Sequence, residues 1–173
     1  MKLPPVIIPF CEGEAEVLLF EFLKLNYSNK TIRFQKPKNL KGFENLAGFK
    51  KKYYKAIKAQ GLKPKKDFIK VRFLFIFDND LEDSKEIKEF LELKGHLVQQ
   101  CEPNVEGLIL GIIDQSQGDN LKTEDYRKKC KNNFKKQFGC ESHRLKEREL
   151  KKIFEDEKHF KNNLPILYNL FKK

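Results

Sequence analysis

Val71-Arg72-Phe73-Leu74-Phe75-Ile76-Phe77-Asp78-Asn79-Asp80 is the stretch that decides the fold. Its apolar run is almost unbroken and then stops at carboxylates. A strand that is apolar on both sides, rather than alternating, is covered on both faces, as in a parallel sheet. A second stretch near the start has the same form. Val6-Ile7-Ile8-Pro9-Phe10-Cys11 runs into Glu12-Gly13-Glu14-Ala15-Glu16.

Helical periodicity lies between and after these strands. The spacing predicts a helix over 14–26, with Ala15, Leu18, Leu19, Phe22, Leu23 and Leu25 on its apolar face. A short strand is expected over 31–35 and a helix over 39–60. Strand 70–77 follows. Asp83, with Glu86 three residues on, predicts a capping box opening the next helix, and Gly95 its end. Residues 96–101 read as a strand. Pro103 opens a helix through Ile113, and 115–120 reads as a loop. Beyond Thr123 only helical patterns remain, at 123–138, 144–158 and 164–171. The fold class is therefore α/β: a parallel sheet of about four strands flanked by helices. An all-helical C-terminal extension follows it. The boundary falls between 1–120 and 121–173.

The chain has 173 residues, 16 of them Phe, so its 35% charged content does not imply disorder. Its net charge of +11 favours a polyanionic partner, most simply nucleic acid. Cys11, Cys101, Cys130 and Cys140 have neither zinc-ligand nor tight disulfide spacing, as in a reducing compartment. Pro4, Pro5 and Pro9 break the first apolar run, so no signal peptide is expected. No stretch is long enough to span a membrane. These features predict a cytoplasmic protein with no membrane partner.

Parallel strands deliver their carboxyl ends to one edge, where ligands bind. Glu12 with Glu14 and Glu16, Asp78 with Asp80, and Glu102 with Glu106 therefore share that edge. Carboxylates so gathered repel one another unless a cation joins them. Mg²⁺, or Mn²⁺ in its place, takes such oxygen ligands together with phosphate and water. Glu14 and Glu16 also suit a helix N-terminus, where the dipole favours acids.

A strand ending in Glu-Gly and a later one ending in Asp-x-Asp resemble the Toprim fold of topoisomerases, bacterial primases and OLD-type nucleases. The likeness extends to RloB-like proteins of restriction and phage-defence loci. It is carried by Cys11-Glu12-Gly13-Glu14-Ala15-Glu16, Asp78-Asn79-Asp80 and Cys101-Glu102-Pro103-Asn104-Val105-Glu106. Residues 101–102 depart from that group's Ser-Asn, and the glycine that often follows Asp-x-Asp is missing. The resemblance implies a metal-dependent nuclease acting on DNA or RNA. Asp78, Asp80 and Glu12 would be metal ligands, and Glu12 and Glu106 catalytic acids or bases. A basic residue of the helical tail, Lys146 or Arg144, would complete the site. It also implies an ATPase or other defence-system partner, although the chain contains no P-loop.

The basic surface is read on two helical stretches. Lys50, Lys51, Lys52 and Lys55 belong to a run over 36–70 that also includes Lys63, Lys65, Lys66 and Lys70 against Glu44 and Asp67. Lys128 and Lys129 belong to the tail, with Arg127, Lys131, Lys135 and Lys136. Both suit phosphate contact. Phe43, Phe49, Tyr53 and Tyr54, interleaved with the first run, read as core rather than as base-stacking residues. Two other functions fit less of the pattern. One is a non-catalytic nucleic-acid-binding or effector-partner subunit. The other is a receiver-type phosphotransfer domain, which needs an acidic pair after the first strand instead of Glu-Gly.

Overall fold

The computed structural model describes residues 5–27, 31–61, 71–79, 83–113 and 124–171, with side chains in the last segment described from residue 128. Asp80, Lys63, Lys65, Lys66, Lys70, Asp67, the 115–120 loop and the Arg127 side chain lie outside them.

The sheet is parallel throughout. It contains β1 (Val6–Cys11), β2 (Arg33–Phe34), β3 (Lys38–Asn39), β4 (Val71–Asp78) and β5 (Leu97–Cys101), in the order β2-β1-β4-β5, with β3 also on β1. β2 and β3 pair with successive parts of β1, Val6 opposite Arg33 and Phe10 opposite Lys38. Together they form one interrupted edge strand. The chain thus leaves β1 toward one edge and returns to β4 on β1's other side. The order reverses between β1 and β4, and ligands of open α/β sheets bind at such a reversal.

Side-chain alternation sorts the strands between two cores. Ile8 and Phe10 of β1 and Phe73, Phe75 and Phe77 of β4 face α2 (Leu46–Ala59) and α3 (Ser84–Leu93). Phe10 stacks on Phe75 at 5.1 Å between ring centroids. Each such fully buried ring stabilises the fold by about 1.5–3 kcal/mol through its area alone. Ile7 and Cys11 of β1, with Leu74 and Ile76 of β4, face α1 (Glu14–Tyr27) and α4 (Val105–Ile113). Asp78 is two residues beyond Ile76, so it shares this second face.

The C-terminal helices are α5 (Glu124–Phe138), α6 (Glu147–Ile153), α7 (Glu157–Asn163) and α8 (Pro165–Phe171). They pack on the same face as α1 and α4, through Phe134, Leu150, Phe160, Leu167 and Phe171. Buried Gln99 of β5 fastens them. Its Oε1 accepts the N–H groups of Ile166 and Leu167, which the start of α8 leaves without helical partners.

Four expectations are corrected. The helix expected from 39 begins at Leu46, because Lys38–Asn39 pair with β1 and Lys41 and Gly42 take positive φ values of 60° and 65°. Asn45 caps that helix, accepting from Gly48 N–H at 2.9 Å. Asp83 forms no capping bond to its own helix. Its carboxylate instead accepts from Leu46 N–H at 2.7 Å and so caps α2. The helix expected to open at Pro103 begins at Val105, because Asn104 caps it: its Oδ1 accepts from Gly107 N–H at 2.8 Å. The helix expected over 144–158 is two, because Asp156 caps a new one through Lys158 N–H at 2.8 Å.

His96 packs against Phe73 and Phe75 and shares a 2.8 Å hydrogen bond with the Tyr53 hydroxyl. Burial, with Lys94 nearby, pulls its pKa from 6.5 down to about 4. Below pH 6.5 the unfolded chain gains a proton at this residue that the folded chain refuses until about pH 4. Its contribution to stability is therefore complete above pH 6.5 and lost between 6.5 and 4. Thermal unfolding of wild type and His96→Asn at pH 7.5 and 5 measures this. The variant is expected to lose less Tm over that interval than wild type.

Among the described residues no helix is long and apolar enough to cross a membrane.

Candidate functional site

Glu12 follows β1 directly. Its N–H donates to Ile76 O at 2.9 Å, so sheet pairing holds its backbone. Its carboxylate then accepts the Asp78 N–H at 3.1 Å. Two of the acids expected in the site are thus fastened across the β1–β4 reversal. Asp78 reaches the next element in turn: its Oδ1 accepts Val105 N–H, at the first turn of α4, at 3.1 Å. A carboxylate there also meets the positive end of the helix dipole.

Glu16 completes the inner layer. Only 3% of it is exposed. Its Oε2 accepts Gly13 N–H at 2.7 Å, and its carboxyl hydrogen-bonds the Asp78 side chain. Burial pushes this carboxyl above its ordinary pKa range, and the charge of Glu106 adds to the effect. The bonds to Gly13 and Asp78 oppose it. A Cβ at Gly13 would stand 3.2 Å from Glu16 Oε2, so glycine leaves room for this approach. Gly107 serves the packing of α4 in a similar way. A Cβ there would lie 2.6 Å from the rigid Pro103 ring and 3.2 Å from Cys130 Sγ.

Cys11 and Cys101 lie under the acids, both fully buried. Burial raises both thiols well above their ordinary pKa. Nearby Glu16 acts on both in the same direction, and Asp78 acts on Cys101. They are therefore neutral thiols that form a floor, and none of the four cysteines is in a disulfide.

The acids open into a cleft of about 300 Å³, lined by Glu12, Glu14, Glu16, Asp78 and Glu106 on the acidic side. Lys131 of α5 and His143 also line it, with Gly42 at its edge. His143 belongs to a 3₁₀ turn, Ser142–Arg144, between α5 and α6. Its ring lies 3.8 Å from Glu14 and 3.7 Å from Glu141. Ser142 Oγ donates to Glu106 Oε1 at 2.5 Å.

The structure thus brings Glu12, Asp78 and Glu106 together. Asp80 lies outside the described residues. Glu102 is exposed and accepts from Asn79 Nδ2 at 3.3 Å, away from the cleft lining. Neither Lys146 nor Arg144 lines the cleft. Lys146 is exposed at the start of α6, its N–H donating to Glu149. The cation that α5 supplies to the cleft is Lys131, one turn from Lys128 on the same helix.

Of the α2 lysines, Lys51 and Lys55 are exposed. Lys50 lies over the Phe90 ring at 5.2 Å. Lys52 Nζ donates to the carbonyls of Lys41 and Gly42 and so ties down the turn beside the cleft. Phe43, Phe49 and Tyr53 are core, whereas Tyr54 is exposed. Lys128 and Lys129 are exposed on α5.

The cleft's carboxylates, Glu12, Glu14, Glu16, Asp78 and Glu106, supply oxygen donors, which suit Mg²⁺ or Mn²⁺ rather than a thiolate-seeking metal, with the His143 ring a nitrogen donor in the same lining. A buried carboxyl whose pKa burial raises is also a group that a cation would relieve. As placed, however, no three Asp, Glu, His or Cys side chains among the described residues converge closely enough to ligate one ion.

Comparison of the chain with protein-family models, with curated proteins and with solved structures finds no match.

Proposed function

We propose that this chain is a metal-dependent phosphodiesterase of Toprim type that cuts DNA or RNA. One observation carries the reading. Glu12, Glu16 and Asp78 are linked by hydrogen bonds at the point where the strand order reverses, with Glu106 and Lys131 lining the same cleft. Asp78 and Glu12, with Asp80, are the residues proposed to hold Mg²⁺ or Mn²⁺. The ion would supply positive charge at the scissile phosphate and activate a water. Glu106 is proposed to help hold the ion and, with Glu12, to handle the proton that the attacking water loses. Lys131 faces the substrate's phosphate from across the acids, Lys128, one turn earlier on α5, extends that contact, and exposed Lys129 adds charge on another side of the helix. A role in phage defence or restriction, beside an ATPase or other defence-system partner, rests on the RloB-like resemblance alone.

A second reading is a non-catalytic nucleic-acid-binding subunit. One observation favours it: no three ligating side chains converge among the described residues. The test uses the full chain with labelled single- and double-stranded DNA and RNA, in Mg²⁺, Mn²⁺ or EDTA. Cutting with either metal and none in EDTA supports the enzyme. Binding without cutting supports the second reading.

The two lysine sets differ in expected effect. Removing Lys128 and Lys129 together should lower the slope of log affinity against log salt by about 1–2. Lys50→Ala and Lys52→Ala should leave the slope nearly unchanged and lower Tm, since their ammonium groups are engaged within the fold. Equal slopes for wild type and the α5 double variant would remove the α5 assignment.

A further inference from the structure

We propose that Ser142 is a positioning residue for Glu106, and that the 3₁₀ turn after α5 thereby makes the C-terminal helices part of the site. The proposal rests on the phosphodiesterase reading for what Glu106 does, but the geometry stands independently of it. Glu106 lies in the first turn of α4, half-buried, and its side chain has three rotatable bonds. Holding such a chain in one arrangement costs side-chain entropy. A hydrogen bond to a charged group is among the stronger ones and offsets that cost. The Ser142 hydroxyl provides such a bond at 2.5 Å, within the range of short O–H···O⁻ contacts.

The donor itself is fixed. Ser142 is 5% exposed. Arg144 N–H donates to Glu141 O at 2.9 Å, and Leu145 N–H to Ser142 O at 3.2 Å. Leu145 is buried in the core shared by α1 and α4. The turn that carries the hydroxyl is therefore anchored to the same helices that carry Glu16 and Glu106. Because Ser142 engages Oε1, Glu106 is left to offer the cleft its other oxygen. The hydroxyl acts through Glu106 and lines no part of the cleft itself.

The experiment measures Mn²⁺ binding by calorimetry and metal-dependent cleavage for the full chain and its Ser142→Ala, Ser142→Thr, Glu106→Gln and double variants. Ser142→Ala should weaken Mn²⁺ affinity about 10-fold or more. The metal concentration for half-maximal cleavage should rise in parallel, with KM for nucleic acid within about twofold. Ser142→Thr, which keeps the hydroxyl, should recover most of that loss. In the Glu106→Gln background, Ser142→Ala should add nothing, because its effect passes through the carboxylate. Wild-type affinity in Ser142→Ala overturns the proposal. So does an equal further loss in the Glu106→Gln background, which marks a purely structural role. If wild type binds Mn²⁺ without cutting and Ser142→Ala weakens that binding, the phosphodiesterase reading fails and the positioning role stands. If wild type binds no Mn²⁺, both fall.

Discussion

Asp78→Asn is expected to lower metal-dependent cleavage by at least about a thousandfold and to leave the fold unchanged. A thousandfold corresponds to roughly 4 kcal/mol of transition-state stabilisation, a reasonable share for a ligand of a catalytic metal. Asparagine is the informative substitution because of what Asp78 does structurally. Its Oδ1 accepts Val105 N–H at the start of α4. An asparagine oxygen accepts the same bond, so the helix keeps its partner while the charge is lost. Circular dichroism and Tm should therefore match wild type while the rate collapses. An active Asp78→Asn would show that the strand-end acids only cap α4.

The second large effect separates function from stability at one residue. Glu16→Gln should reduce metal-dependent cleavage about 100-fold and at the same time raise stability by about 1 kcal/mol. For a chain of this size that is a Tm increase of roughly 2–4 °C. The reason is burial. Glu16 is almost fully enclosed, and desolvation disfavours its charged form. Glutamine has no charge to desolvate. Its oxygen still accepts from Gly13 N–H. A core residue kept for packing alone would lose both stability and activity on substitution. A gain in one with a loss in the other is expected of a carboxylate retained for its charge. A Glu16→Gln protein that is less stable and fully active would contradict this assignment.

The strands were legible because their apolar runs are continuous and end at acids. β1, β4 and β5 fall within a residue or so of their expected limits, and the α/β class follows from their alternation with helices. Glu12 and Asp78 were legible for the same reason, as the residues at which burial stops. What could not be read had weaker or longer-range causes. β3 is two residues long and has no periodicity to detect; it is a strand because Lys38 and Asn39 meet β1. Glu16 reads as a helix N-terminal acid, which it also is. Its place beneath Asp78 depends on how α1 crosses the sheet, although the Glu-Gly-x-x-Glu spacing was the available signal. Ser142 is 36 residues from Glu106, and nothing local marks the pairing. Lys131 was one of several lysines in the tail, and only the packing of Cys130 and Phe134 into the core turns it toward the cleft. Lys50 and Lys52 counted as surface charge by composition. The aromatic ring and the carbonyls that engage them come from other segments.

The most direct test locates the metal. Mn²⁺ should be diffused into crystals of the full chain and found by its anomalous scattering. The account predicts a peak within about 2–2.5 Å of the Asp78 carboxylate, on the Glu12 side of the cleft and lost in Asp78→Asn. An ion bound elsewhere, or no peak at the β1–β4 strand ends, would contradict it.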